Sequence, residues 1–285
     1  MRTAKKASPG TAVAFDYSTA QLHGLWDKLH RGDAEPWPEA KAIARLGAKN
    51  PPFARWLDGH GGAAAVAEGL QSAWREFHAG NFPQAIKLGE ALGAIGAVVA
   101  NKAAAIHSLN TRRGTAKRSD LLQAAIERGE ASVEQLPEYP NAHYMLALAL
   151  GRHGQDISIL KAVAAGLATR VRNHLERTLA LEPRHAEAHV ALGLYHSELI
   201  GKLGGLAAAF TYGASKDKAL EHFRLAIKLA PGSPIVHIEY ANGLLLLDAE
   251  GGRAMAEKLY AEAASHKPAD AMEQLDVERA QRGIP

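Results

Sequence analysis

Hydrophobic residues recur along most of this chain with the three- and four-residue spacing of amphipathic helices. The first such segment follows Ser18 and Gln21, which have capping-box spacing, and it places Leu22, Trp26 and Leu29 on one face. Proline and glycine clusters then separate this region from a long series of paired helical segments that begins near residue 63. The pattern predicts an all-α protein in which stacked helix pairs follow an N-terminal helical cap.

Several of these pairs carry the residue spacing of a tetratricopeptide (TPR) repeat. The clearest runs from Asp217 to Pro231 and has Ala219, Phe223 and Ala226 at the contact positions of its second helix. The next pair repeats this register at Ala256, Tyr260, Ala263 and Pro268. We therefore predict a TPR-like α-solenoid, which is a right-handed superhelix of antiparallel helix pairs whose first helices line one concave face.

Four regions follow from this reading. They are a flexible tail (1–16), an N-terminal helical cap (17–62), about five TPR-like helix pairs (63–268) and a C-terminal capping helix (269–285). Extra residues stretch the repeat spacing in three places, at 110–120, within 157–181 and at 201–213. Those within 157–181 predict a lengthened second helix. Insertions in repeat proteins often lie on a binding face.

The stretch from His143 to Leu247 resembles the regulator of microtubule dynamics family and its bacterial relatives. The segments that carry the resemblance are HYMLALALGRHGQDISILKAVAAG, LERTLALEPRHAEAHVALGLYH and TYGASKDKALEHFRLAIKLAPGSP. The resemblance covers roughly the C-terminal two-thirds of the chain and implies an all-helical scaffold without enzymatic activity. Microtubule association belongs to the eukaryotic members, which commonly carry an N-terminal membrane anchor. This chain shows no such anchor, so we do not transfer that association to it.

Composition narrows the function classes. Lys and Arg total 33 against 30 for Asp and Glu, and this net charge of +3 gives no reason to expect nucleic-acid binding. The chain has no cysteine, which excludes disulfides, thiolate chemistry and cysteine-ligated metals. No apolar run approaches the ~18 residues of a membrane span, and no signal-peptide core is present. We expect a cytoplasmic protein.

Candidate catalytic and metal-binding groups have simpler structural explanations. His143, His189 and His237 share one repeat position, but successive first helices lie about two interhelix distances of ~10 Å apart, which is too far for a shared metal. Ser215 and Lys218 have S-x-x-K spacing, yet Ser215 stands where a helix N-cap is expected. We therefore expect no catalytic residue, metal or cofactor.

The repeat register also predicts which residues face the concave groove. Asn101 and Asn242 occupy the position from which TPR proteins can hydrogen-bond a peptide backbone, although Asn is also simply common there. The same face is predicted to include Tyr144, Leu148, Arg152, Val190, Leu194, Ile238 and Leu245. A basic loop offers a second surface, for an acidic partner, at Arg112, Arg113, Lys117 and Arg118.

These residues favour a non-enzymatic scaffold that binds a peptide or a partner helix in an apolar groove. Two alternatives stay open. The groove together with the apolar insertion at 201–213 could carry a small molecule or a lipid, or the protein's own N-terminal helix, from Ser18 to Gly32, could fill the groove.

Overall fold

The computed structural model of the protein describes residues 15–109 and 113–283, and every regular element in these ranges is an α-helix. Three helices form the N-terminal region: α1 (Thr19–Leu29), α2 (Ala40–Lys49) and α3 (Pro51–Gly59). The predicted capping box is present at the start of α1, where the side chains of Ser18 and Gln21 each accept a hydrogen bond from the other residue's backbone. The predicted tail lies almost entirely outside the described residues.

Thirteen further helices follow in the described part of the chain. They are α4 (Gly62–His78), α5 (Phe82–Glu90), α6 (Gly93–Leu109), α7 (Ala116–Gln135), α8 (Pro140–Asp156), α9 (Ile159–Ala164), α10 (Leu167–Leu181), α11 (Ala186–Leu203), α12 (Gly205–Tyr212), α13 (Lys216–Leu229), α14 (Pro234–Leu247), α15 (Arg253–Ala264) and α16 (Ala271–Gln281). None of the helices in these ranges is long and apolar enough to cross a bilayer.

Five antiparallel helix pairs make up the solenoid: α4 with α5, α6 with α7, α8 with α10, α11 with α13, and α14 with α15. Small residues let the helices approach closely. A Cβ at Gly193 would lie 2.6 Å from Cε1 of Phe223, and a Cβ at Gly243 would clash with the same ring from the other side. Phe223 is fully buried in this slot, which explains why the second helix of the repeat has an aromatic residue at this position.

Two insertions form short helices of their own. The sequence predicts one lengthened helix within 157–181, but the structure has two, because Gly166 adopts a left-handed conformation (φ 61°) and separates α9 from α10. The insertion at 201–213 forms α12, between the two helices of the fourth pair.

The last helix closes the array. It packs on α14 and α15 and also contacts α4, in the first pair. Nδ1 of His78 lies 2.6 Å from Oδ2 of Asp270, the N-cap residue of α16, and the hydroxyl of Tyr17 donates to the carbonyl of Ala269. Helix-to-helix contacts therefore run in a closed circuit from α4 through the repeats and back.

Candidate functional site

A cavity of about 940 Å³ lies on the side of the solenoid lined by the first helices α8, α11 and α14. The start of α10 contributes to its wall, and residues of α9, Leu203 and Tyr212 border it. A volume in this range suits one small molecule or a short peptide segment.

Seven of the nine groove residues predicted from the repeat register line this cavity. They are Tyr144, Leu148, Arg152, Val190, Leu194, Asn242 and Leu245. Three come from α8 at four-residue spacing, so they share one face of that helix. The structure thus brings these side chains together, and their role in binding a partner stays a prediction.

Two predicted groove residues lie elsewhere. Ile238 is 0% exposed because it packs in the core between α14 and α15, and Asn101 is 2% exposed in the interior between α6 and α7. The amide of Asn101 donates to the carbonyl of Ala125 at 2.8 Å, and its oxygen accepts from Nε of Arg128 at 3.1 Å. Both residues are therefore corrected to core positions, since neither side chain can reach a ligand.

Asn242 lines the cavity but is also engaged within the protein. Its amide donates to Oε2 of Glu239 at 2.9 Å, and its oxygen accepts from the hydroxyl of Tyr260 at 2.7 Å. The side chain is thus held in place by its neighbours, and only its remaining hydrogen-bonding capacity is open to a ligand.

The predicted basic loop is divided by the fold. Arg118 is buried at the start of α7, where it pairs with Asp156 and donates to the carbonyl of Ser108, so it is corrected to a structural residue. Lys117 is exposed, and Arg113 is exposed and lines the cavity. Arg112 lies outside the described residues.

One wall of the cavity is polar, and sequence reasoning missed most of it. Nη1 of Arg279, on α16, lies 2.9 Å from Oε1 of Glu239. Burial would raise the pKa of Glu239, but Arg279 and then Arg152 outweigh burial and lower it. Nε of Arg152 is buried and has no hydrogen-bond partner within the described ranges. The wall therefore presents the carboxylate of Glu239, held by Arg279, beside the half-buried guanidinium of Arg152.

The neighbouring part of the concave side is filled by the chain itself. The segment after α1, from Gly32 to Glu35, lies against α6, α8 and α11, so a loop rather than the N-terminal helix occupies this space. The ammonium of Lys102 binds the carboxylate of Asp33 and lies 3.3 Å from Oε1 of Glu187. Burial by itself would lower the pKa of Lys102, but the two carboxylates outweigh burial and raise it.

Glu187 joins the filled part to the cavity, because its side chain lines the cavity and also contacts Lys102. Burial raises its pKa, although Lys102 opposes the shift. Tyr144 also lies in the cavity wall, where burial and after it the negative charge of Glu187 raise the pKa of its hydroxyl. The polar wall is therefore continuous with the buried ion pair.

Glu35 is a second buried carboxyl in the filled part, and its pKa is shifted upward rather than downward. It is buried and accepts hydrogen bonds from the hydroxyl of Tyr139 at 2.7 Å and from the amide of Asn141 at 2.6 Å. Burial, and after it the charge of Asp33, raises the pKa of Glu35 to about 8. Glu35 is therefore largely protonated at neutral pH.

The histidines that share a repeat position pack within their own helix pairs. Nδ1 of His143 lies 3.1 Å from Nδ1 of His174, and Nδ1 of His189 lies 2.9 Å from Nδ1 of His222. The third, His237, contacts Glu262 instead. Within the part of the chain that the structure describes, no group of three or more His, Asp or Glu side chains is arranged to hold a metal ion.

The S-x-x-K spacing is explained by capping. Oγ of Ser215 accepts from the backbone nitrogen of Lys218 at 3.2 Å and caps α13, as predicted.

Comparison with known proteins agrees with the fold. The crystal structure of TTC0263, a thermophilic TPR protein of Thermus thermophilus, matches with a TM-score of 0.55 at 18% identity, covering 76% of this chain and 100% of that one. This likeness confirms the predicted all-α, TPR-like solenoid. No curated protein sequence matches the chain.

The sequence profile of the regulator of microtubule dynamics proteins 1-3 (RMD1-3) matches residues 97–281. This range covers α6 to α16 apart from the start of α6, and it includes the cavity and the closing helix. Because the match extends over more than half of its length, the chain belongs to the regulator of microtubule dynamics family.

Proposed function

We propose that this protein is a non-enzymatic scaffold that binds an apolar segment of a protein partner in its concave cavity. The observation that carries the proposal is the cavity of about 940 Å³ between α8, α11 and α14. Leu148, Val190, Leu194 and Leu245 supply its apolar wall, which suits the apolar face of a helix or the alternate side chains of an extended peptide.

The polar wall suits a ligand whose backbone carbonyl or terminal carboxylate needs a hydrogen-bond partner. Arg152 lines the cavity and is only half buried, so its guanidinium can donate to a carbonyl or carboxylate of the bound segment. The apolar wall would then supply most of the affinity, and Arg152 would fix the orientation of the segment.

A photo-crosslinking amino acid at position 194 tests the proposal in cell extract. We expect it to capture a partner that Leu194→Asp no longer retains, because a charge in the apolar wall would have to be desolvated on binding. Met255→Asp is the matched control, since Met255 is 49% exposed on α15 and does not line the cavity. Equal retention of every partner by both variants would contradict the proposal.

A second candidate, a carrier for an amphipathic small molecule or lipid, is favoured by one observation. Leu206 and Phe210 on α12 are 91% and 95% exposed, and α12 ends at Tyr212 in the cavity wall. Native mass spectrometry of the purified protein separates the two candidates. A co-purifying small molecule that Leu194→Asp releases would favour the carrier, and an empty cavity would favour the peptide site.

A further inference from the structure

The short helix α12 projects from the solenoid with most of its surface uncovered. Of its eight residues only Ala208 is buried, in a small cluster with Tyr195 and Leu199 of α11. Leu206 and Phe210 are four residues apart, so they protrude from the same face. The surfaces of soluble proteins rarely expose two adjacent large apolar side chains, so this face of α12 indicates an interaction surface.

The charges around α12 follow the pattern of an interfacial helix. Residues 203–215 contain no charged side chain, and lysines stand at both borders: Lys202 before the segment, and Lys216 and Lys218 after it. Lys202 and Lys216 are exposed and have long apolar stems, so they can keep their ammonium groups at the level of lipid headgroups while the helix dips deeper. Their acidic neighbours are Glu198 and Asp248, and Asp217 lies between the two later lysines.

A second copy of the chain is a poorer occupant. Each protruding side chain buries at most about 150–250 Å². The pair therefore falls well short of the roughly 800 Å² per partner that a stable protein interface needs. Leu206 and Phe210 would also need a complementary groove on a protein partner. A fluid bilayer needs no preformed shape to accept them.

We propose that α12 docks the protein on a lipid bilayer surface by inserting Leu206 and Phe210 at the boundary between headgroups and acyl chains. Docking places the border of the cavity next to the membrane, because Leu203, just before α12, and Tyr212, at its end, both line the cavity. The proposal rests on α12 alone and does not require the cavity to be occupied. Binding through so small a surface is weak and reversible.

Flotation of the purified full chain with vesicles tests the proposal. We expect the parent protein to float with phosphatidylcholine vesicles and also with vesicles that contain phosphatidylglycerol, because insertion depends on Leu206 and Phe210 and the charges that border α12 nearly cancel. The double variant Leu206→Ser, Phe210→Ser should lower the partition coefficient by about tenfold or more, since two inserted apolar side chains are lost. Met255→Ser, which alters an exposed apolar residue on α15, should leave it unchanged.

A fluorescent label gives a direct readout of insertion. The chain has no cysteine, so Phe210→Cys and Met255→Cys each create a single attachment site for an environment-sensitive dye. Vesicles should shift the emission of the dye to the blue at position 210 and not at position 255. Because both positions are exposed, neither substitution should affect folding, and circular dichroism checks this.

Three outcomes would overturn the proposal. They are a parent protein that floats with neither vesicle, a double variant that floats as well as the parent, or a parent dimer in light scattering that the double variant turns into a monomer. Leu194→Asp distinguishes the two proposals, because this variant should lose partner binding in the cavity and keep vesicle binding through α12.

Discussion

The concave side of this solenoid has two parts that are built on similar helices and hold different contents. Over α6 and the first turns of α8 and α11, the loop from Gly32 to Glu35 fills the space and is tied down by Lys102. Farther along, α8, α11 and α14 face an open cavity. Stacked helix pairs therefore provide only a trough, and the segment that the chain places in it determines which part of the trough stays open.

The largest loss of stability is expected from a substitution in the filled part of the concave side. Asp33→Ala leaves the buried ammonium of Lys102 without its main counter-ion and removes the acceptor of His30. We expect the free energy of unfolding to fall by about 3–5 kcal/mol, and the Tm by about 10 °C, in thermal and chemical denaturation.

The matched control is an exposed ion pair. Arg253 and Glu257 are 3.9 Å apart and both largely exposed, so Glu257→Ala should cost less than about 0.5 kcal/mol. Similar losses of unfolding free energy for Asp33→Ala and Glu257→Ala would show that the loop from Gly32 to Glu35 does not stabilise the fold.

Two leucines on α8 compare the packing of core and cavity directly. Leu146 is buried in the core, whereas Leu148 lines the cavity. Leu146→Ala should destabilise the protein by about 2–5 kcal/mol and Leu148→Ala by only about 1 kcal/mol, because the latter removes fewer packed neighbours. Equal losses would mean that the cavity is closed in solution.

The pH dependence of stability reports on the filled part. Because the folded pKa of Glu35 is raised to about 8, its contribution is fully present below about pH 4.5 and is lost as the pH rises through 8. Between pH 6 and pH 9 we expect the parent to lose about 2.5–3 kcal/mol relative to Glu35→Gln, whose amide can still bond to Tyr139 and Asn141. Parallel stability curves for parent and variant would refute this assignment.

The smallest expected difference concerns the two asparagines. Asn101→Ala should cost about 1–3 kcal/mol because it leaves the buried carbonyl of Ala125 without its side-chain donor. Asn242→Ala should cost about 1 kcal/mol or less, since Asn242 is only partly buried and its partner Glu239 keeps Arg279. A larger loss at Asn242 would place it in the core as well.

Repeat register made the helix pairs and most of the cavity wall predictable from sequence. Small and aromatic residues at fixed positions, such as Gly193 and Phe223, reflect contacts between neighbouring helices. The register failed for Asn101, whose side chain faces α7 rather than the trough and donates to the carbonyl of Ala125.

The filling of the trough could not be predicted in the same way. Asp33 and Lys102 are separated by 69 positions, and the loop that carries Asp33 has no repeat pattern to align. One signal was available: Lys102 is the only Lys, Arg, Asp or Glu in the apolar helix α6, and such a residue in a buried helix requires a partner. Its identity depends on tertiary structure alone.

The contact between His78 and Asp270 has a consequence for how the array can change. An open solenoid can gain or lose a repeat at either end and remain folded, because each unit depends only on its neighbours. In this protein the last helix has to return to the first pair, so the number of units is fixed by geometry. Adding one repeat would carry α16 away from α4 and break the contact between them, and neither of these two helices can open without disturbing the other.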